Sequence, residues 1–166
     1  MSLKSEVSAE DWKEIAQAPF VTGFAITAAD PGGLIGAFQE SAAMAKSLHA
    51  ADGANNELGT DIMEELKSSE GRSEIKDAIK SLVKGQSPDQ ASKAALARLA
   101  QIMTLVSRTA PSHFDDVALL VRRTAHAVAE AAKEGGFLGI GGVAVSEAEK
   151  TTLDEIEAVI TSSNTV

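Results

Sequence analysis

The 166-residue sequence contains no cysteine and no tyrosine, a single tryptophan, four prolines and only 4% aromatic residues. The missing cysteine excludes disulfides, thiol catalysis and thiolate metal sites in one step. With so few aromatic residues and no convincing run of period two, a sheet has little to be built from. Basic charge is also scarce: 15 lysines and arginines stand against 24 aspartates and glutamates, for a net charge of -9. That balance disfavours an unassisted nucleic-acid or anionic-membrane surface, because both draw on a basic face. The apolar run from Ala18 to Ala29 is too short to span a bilayer, and Glu10, Asp11 and Glu14 precede it instead of a positive segment. We therefore expect neither signal peptide nor membrane span, no nucleic-acid partner and a cytoplasmic location.

What is present is alanine and aliphatic residues at helical spacing. Hydrophobic residues make up 44% of the chain, enough for one globular domain without metals or disulfides. The periodicity predicts an all-α fold: a compact bundle of about seven or eight helices, one domain over 1–166, with 1–7 and 161–166 as flexible ends. Ser8 and Asp11 have the spacing of a capping box before a helix near Ala9, with Val7 and Trp12 as a hydrophobic staple. Pro19 ends that helix or starts the next, and the segment PFVTGFAITAA is apolar on nearly every side, as suits a buried central helix. After the turn at Asp30 to Gly33, Leu34, Phe38, Ala42, Ala45 and Leu48 define another helix. Leu58, Ile62, Met63 and Leu66 define a shorter one, with a break near Ser69 to Gly71. Ile75, Ala78, Ile79, Leu82 and Val83 then form a stripe stopped by Gly85. Ser87-Pro88-Asp89-Gln90 starts a long helix that ends before Pro111, and Phe114 begins an amphipathic spine carrying Val117, Leu120, Val121, Ala125 and Val128. Ser146 to Glu149 caps the last helix.

Catalytic signatures are thin. Gly139, Gly141 and Ala144 satisfy the spacing of a dinucleotide loop, but a helix precedes them where that fingerprint needs a strand, and no Lys followed by Ser or Thr completes a phosphate loop. The glycine-rich stretch reads first as structural. Neither H-E-x-x-H nor Glu-x-x-His occurs, since Lys46, Ala110 and Arg123 stand three residues before His49, His113 and His126. His126 and Glu130 form a helical pair that suits a surface contact better than a metal. Two acidic groups remain: Asp52, Glu57 and Asp61, and Glu134 with Glu147 and Glu149 around the glycine-rich loop. Carboxylates near loops bind hard divalent cations through oxygen, although helix starts favour acidic residues on dipole grounds alone.

The segment AVAEAAKEGGFLGIGGVAVSEAEKTTLDEI resembles the repeated unit of the tellurite-resistance TerB-like helical domains, and Ala50-Ala51-Asp52-Gly53 looks like the first copy of the same acidic loop. The resemblance spans roughly a third of the chain. Glu134-Gly135-Gly136 departs from it where Asp-Gly is expected, and the glycine-rich segment reads as an insertion. The resemblance implies Asp52, Glu134 and Glu149 as candidate ligands for a divalent cation, and a role in stress or metal-ion responses. No nucleophile, base and orienting residue can be named together. The first expectation is thus a non-enzymatic module that binds a partner protein, a second copy or a metal ion in a bacterial stress response. The alternative is a small-ligand binder or enzyme with a pocket under residues 135–145.

Overall fold

A computed structural model describes residues 2–29, 57–134 and 146–164 of the chain. Among them the fold is all-α, with no strand. The helices are α1 (Leu3–Glu6), α2 (Ala9–Ile15), α3 (Ala18–Ala29), α4 (Glu57–Glu65), α5 (Ser69–Val83), α6 (Pro88–Thr109), α7 (Phe114–Glu134) and α8 (Glu147–Ser163), with a 3-10 turn over Pro111–His113. The helix expected over residues 34 to 48, and His49 at its end, lie outside the described residues, as does the glycine-rich stretch 135–145.

The centre is α3. It has no acidic or basic residue in its terminal turns, and Ala18, Pro19, Val21, Thr22, Gly23, Ala25 and Ile26 are all buried. A helix apolar on every side must be surrounded by protein. It packs mainly on α6 and α7, and more lightly on α8 and α5. Pro19 stands in its first turn, where a missing N–H costs nothing, so it restarts the chain after α2. Thr22 answers its own hydroxyl within the helix through the Ala18 carbonyl at 2.8 Å. From α6 the buried Ser92 hydroxyl donates to the Ala25 carbonyl at 2.9 Å, a polar cross-link through an otherwise apolar contact. Ser92→Ala is expected to cost about 0.5–1.5 kcal/mol, the net worth of one such bond, measurable by urea unfolding.

Around α3 the helix starts follow the sequence closely. Ser8 accepts from the Asp11 N–H at 3.0 Å. Ser87 and Gln90 form a reciprocal capping box, with Gln90 Oε1 accepting from the Ser87 N–H at 2.9 Å. Leu96, Leu99, Ile102, Met103 and Val106 of α6 then meet Val117, Leu120, Val121, Ala125 and Val128 of α7 in one core. The short helix α1 places Leu3 in that same core.

One boundary differs from the expectation. The break expected at Ser69 to Gly71 falls at Leu66 to Ser68, and Gly71 sits in the first turn of α5. The reason is a cap: Ser68 Oγ accepts from the Gly71 N–H at 2.8 Å, which begins the helix earlier than glycine as a breaker would suggest.

Candidate functional site

Among the described residues, the apolar stripe on α5 is left partly uncovered. Among its residues only Gly71 is fully buried. Ile79 and Leu82 lean on the core while half-buried, and Val83 is 46% exposed. An amphipathic helix ordinarily turns its whole apolar stripe inward. Here the stripe is seated on its edge.

Helix α2 and the end of α4 set that seating. The Trp12 side chain is buried, and its indole N–H donates to Glu65 Oε2 at 2.9 Å, at the last residue of α4. Lys4 reaches the same carboxylate oxygen at 3.3 Å and lies 5.4 Å above the indole ring. The neighbouring Lys13 then bridges to α5, meeting Glu70 at 2.8 Å and Glu74 at 2.7 Å. Arg72 completes the elbow by donating to the carbonyls of Leu66 and Lys67 at 2.9 and 2.8 Å. The acidic flank of α5 is therefore tied to the body. The opposite flank, with Lys76, Lys80 and Lys84 spaced four residues apart, faces solvent.

The electrostatics follow these contacts. Hydrogen bonds to Glu70 and Glu74, against a smaller opposing effect of burial, hold the Lys13 ammonium above its ordinary range. The Trp12 hydrogen bond, and after it Lys4, hold the Glu65 carboxyl below its ordinary range although burial opposes them. Since Glu65 is depressed in the folded state, its contribution is complete above the unfolded carboxylate value and is lost as pH falls through the folded one. Thermal unfolding followed from neutral to acid pH should show a shallower decline for Glu65→Gln than for the native chain. Parallel declines would separate Glu65 from the acid response.

The metal-ligand candidates fare differently. Asp52 lies outside the described residues. Glu134 is the last residue of α7, and its side chain lies outside them too. Glu149 is 4% exposed and closes the cap of α8, with Oε2 accepting from the Ser146 N–H at 2.7 Å. Its other oxygen, Oε1, is buried without a hydrogen-bond partner among the described residues. Glu147 is engaged by Lys150 at 2.7 Å, which holds its carboxyl below the ordinary range. Among the described residues no three acidic or histidine side chains converge as a metal site would need. Of the three predicted ligands, only Glu149 has its side chain among the described residues.

A pocket for a small ligand was the other expectation, and residues 135–145 beneath which it was placed are not described. Between α7 and α8 there is a shallow cavity of about 200 Å³, with Ala125, Leu153 and Ile156 as its apolar lining and Arg122, His126 and Asp154 among its polar residues. That is below the roughly 300–1,000 Å³ of ordinary small-molecule sites. Arg122 is already spent: its Nε meets both carboxylate oxygens of Glu157, at 2.8 and 3.0 Å. His126 and Glu130 are both exposed. His113 ends the 3-10 turn half-buried, 3.1 Å from Glu6 and 3.5 Å from Asp116.

The outward flank of α5 is the feature that sequence reading missed. The apolar stripe and the lysines were both visible, but which edge would be covered depended on Trp12 and Lys13 finding partners more than fifty residues away. No helix among the described residues is long and apolar enough to cross a membrane. No protein-family model, curated protein or solved structure matches the chain.

Proposed function

We propose that the chain is a non-enzymatic, cytoplasmic helical module that binds another protein through the outer flank of α5. The observation that carries this reading is Val83, 46% exposed beside the half-buried Ile75, Ile79 and Leu82, on a fifteen-residue helix with one edge left uncovered among the described residues. Exposed single apolar residues are common, but one that continues a half-buried helix stripe follows the pattern by which helices are taken into grooves. Leu119, 44% exposed on α7, has no comparable row around it, since Asp115, Arg122 and Arg123 flank it.

A displayed library of amphipathic helical peptides, selected on the native protein and counter-selected on Val83→Glu, tests the reading. Clones enriched on the native protein and lost on the variant, with helicity and melting temperature unchanged, support it. No enrichment, or equal retention on both proteins, overturns it.

A second reading has one observation behind it, the buried and unpartnered Oε1 of Glu149. A divalent cation at that oxygen, as the TerB-like resemblance implies, would satisfy it. Glutamine keeps a capping box intact while removing the charge, so Glu149→Gln isolates the cation from the cap. If Ca²⁺, Mg²⁺, Mn²⁺ or Zn²⁺ binds there, saturating ion raises the melting temperature of the native chain, by an amount corresponding to about 2.7 kcal/mol at a hundred times the dissociation constant. The rise should vanish in Glu149→Gln. An unchanged melting temperature with all four ions retires this reading and leaves the α5 surface untouched.

A further inference from the structure

Resting on the reading of α5 as a docking helix, we infer that its partner segment is an acidic amphipathic helix. The reason is an imbalance in how the chain uses its cations. Lys4, Lys13, Lys93, Arg98, Arg122 and Lys150 each meet a carboxylate within 3.4 Å. Lys76 and Lys84 meet none among the described residues, and Lys80 reaches only Asp77, at 3.9 Å with both side chains about two-thirds exposed. In a chain holding 24 acidic residues against 15 basic ones, partners for cations are plentiful. Lys67, Arg108 and Arg123 also meet no carboxylate among the described residues, but each stands alone, whereas Lys76, Lys80 and Lys84 follow one another along one flank of one helix.

That flank is also where the apolar row emerges. Ile79 and Val83 each lie three residues beyond a lysine, Lys76 and Lys80, so that apolar and basic side chains alternate along one strip at helical spacing. Lysines near the carboxyl end of a helix are favourable through its dipole alone, but that attraction decays within the last turn. Lys76 stands two turns upstream and gains little from it. At about 1.5 Å per residue, α5 offers a strip some 20 Å long, the length of a short partner helix laid alongside.

Other occupants fit less well. A second copy paired antiparallel about a two-fold axis near Lys80 would set Lys80 against Lys80 and Lys76 against Lys84, like charge on like charge. One helix also falls short of the roughly 800 Å² per partner that stable dimers bury. An anionic bilayer would attract the lysines but repel a body carrying -9. An acidic helix with an apolar edge answers both components of the strip at once.

The same peptide library decides this, with its polar positions randomised between glutamate and lysine. Enriched clones should carry glutamate beside the apolar row. One such peptide, followed by fluorescence anisotropy, should bind the combined variant Lys76→Gln, Lys80→Gln, Lys84→Gln roughly tenfold or more weakly, with the melting temperature of the protein retained. Its affinity should fall as salt shortens the Debye length from about 30 Å to 3 Å. Enrichment of neutral or lysine-rich clones overturns the acidic partner while leaving α5 a docking surface, whereas no enrichment at all removes both. Binding of the native protein to phosphatidylserine vesicles that Val83→Glu abolishes, or a dimer in light scattering that the same variant dissolves, also overturns it.

Discussion

Trp12→Ala should cost roughly 3–5 kcal/mol, the ordinary range for removing a buried aromatic side chain. Against a total stability of about 5–15 kcal/mol for a domain, that is enough to unfold much of the population near body temperature. The indole is buried, joins the core through its ring and holds Glu65 through its N–H at 2.9 Å. Truncation therefore opens a cavity and also leaves Glu65 with Lys4 as its remaining side-chain donor. Trp12→Phe separates the two effects, because it fills most of the volume and removes only the donor. Urea unfolding should rank native, Trp12→Phe and Trp12→Ala in that order. A Trp12→Ala chain within 1 kcal/mol of native would mean that α2 does not anchor the elbow.

Gly71→Ala is expected to destabilise by about 1–3 kcal/mol, although helix propensity alone argues the other way. Alanine is favoured over glycine inside a helix by about 1 kcal/mol. At Gly71, however, an added Cβ would overlap the Glu65 carbonyl oxygen, lie 2.9 Å from Glu65 Cγ and 3.0 Å from Ser68 Oγ. The first of these is backbone and cannot swing aside, so the overlap must move the start of α5. Gly85→Ala is the control, since Gly85 has open space around it but a φ of 72°. Its cost is conformational, about 1–2 kcal/mol, and it leaves the elbow unmoved. Calorimetry on the two variants, with peptide binding as a second readout, should show Gly71→Ala losing affinity out of proportion to its stability. Equal affinity in both would show that α5 does not depend on the elbow for its orientation.

The helices themselves were legible in the chain. Ser8, Ser87 and Ser146 each announced a start through side-chain chemistry acting over three residues, and each is found capping as its spacing implied. The all-apolar segment from Pro19 to Ala29 could only be a surrounded helix, and α3 is that. Gly71 was misread because glycine marks both breaks and close approaches, and only the position of the Glu65 carbonyl tells which. The candidate site was the least legible part. Its lysines and its valine are ordinary surface residues in sequence, and they acquire meaning from Lys13 taking Glu70 and Glu74 away on the other flank. Periodicity reports which residues share a face; it does not report which face a distant helix will claim.

The central position of α3 has a consequence for synthesis. Residues 18–29 leave the ribosome before α6, α7 and α8, which enclose them and run from residue 88 to residue 163. At about 5–20 residues per second the wait is on the order of ten seconds. Until α6 emerges the nascent chain carries an apolar helix with none of these three partners, and until α8 emerges one that is only partly enclosed, a ready client for a holdase at the tunnel exit. Ribosomes stalled before α6 emerges should recruit such a chaperone, and those stalled after α8 is clear of the tunnel should release it.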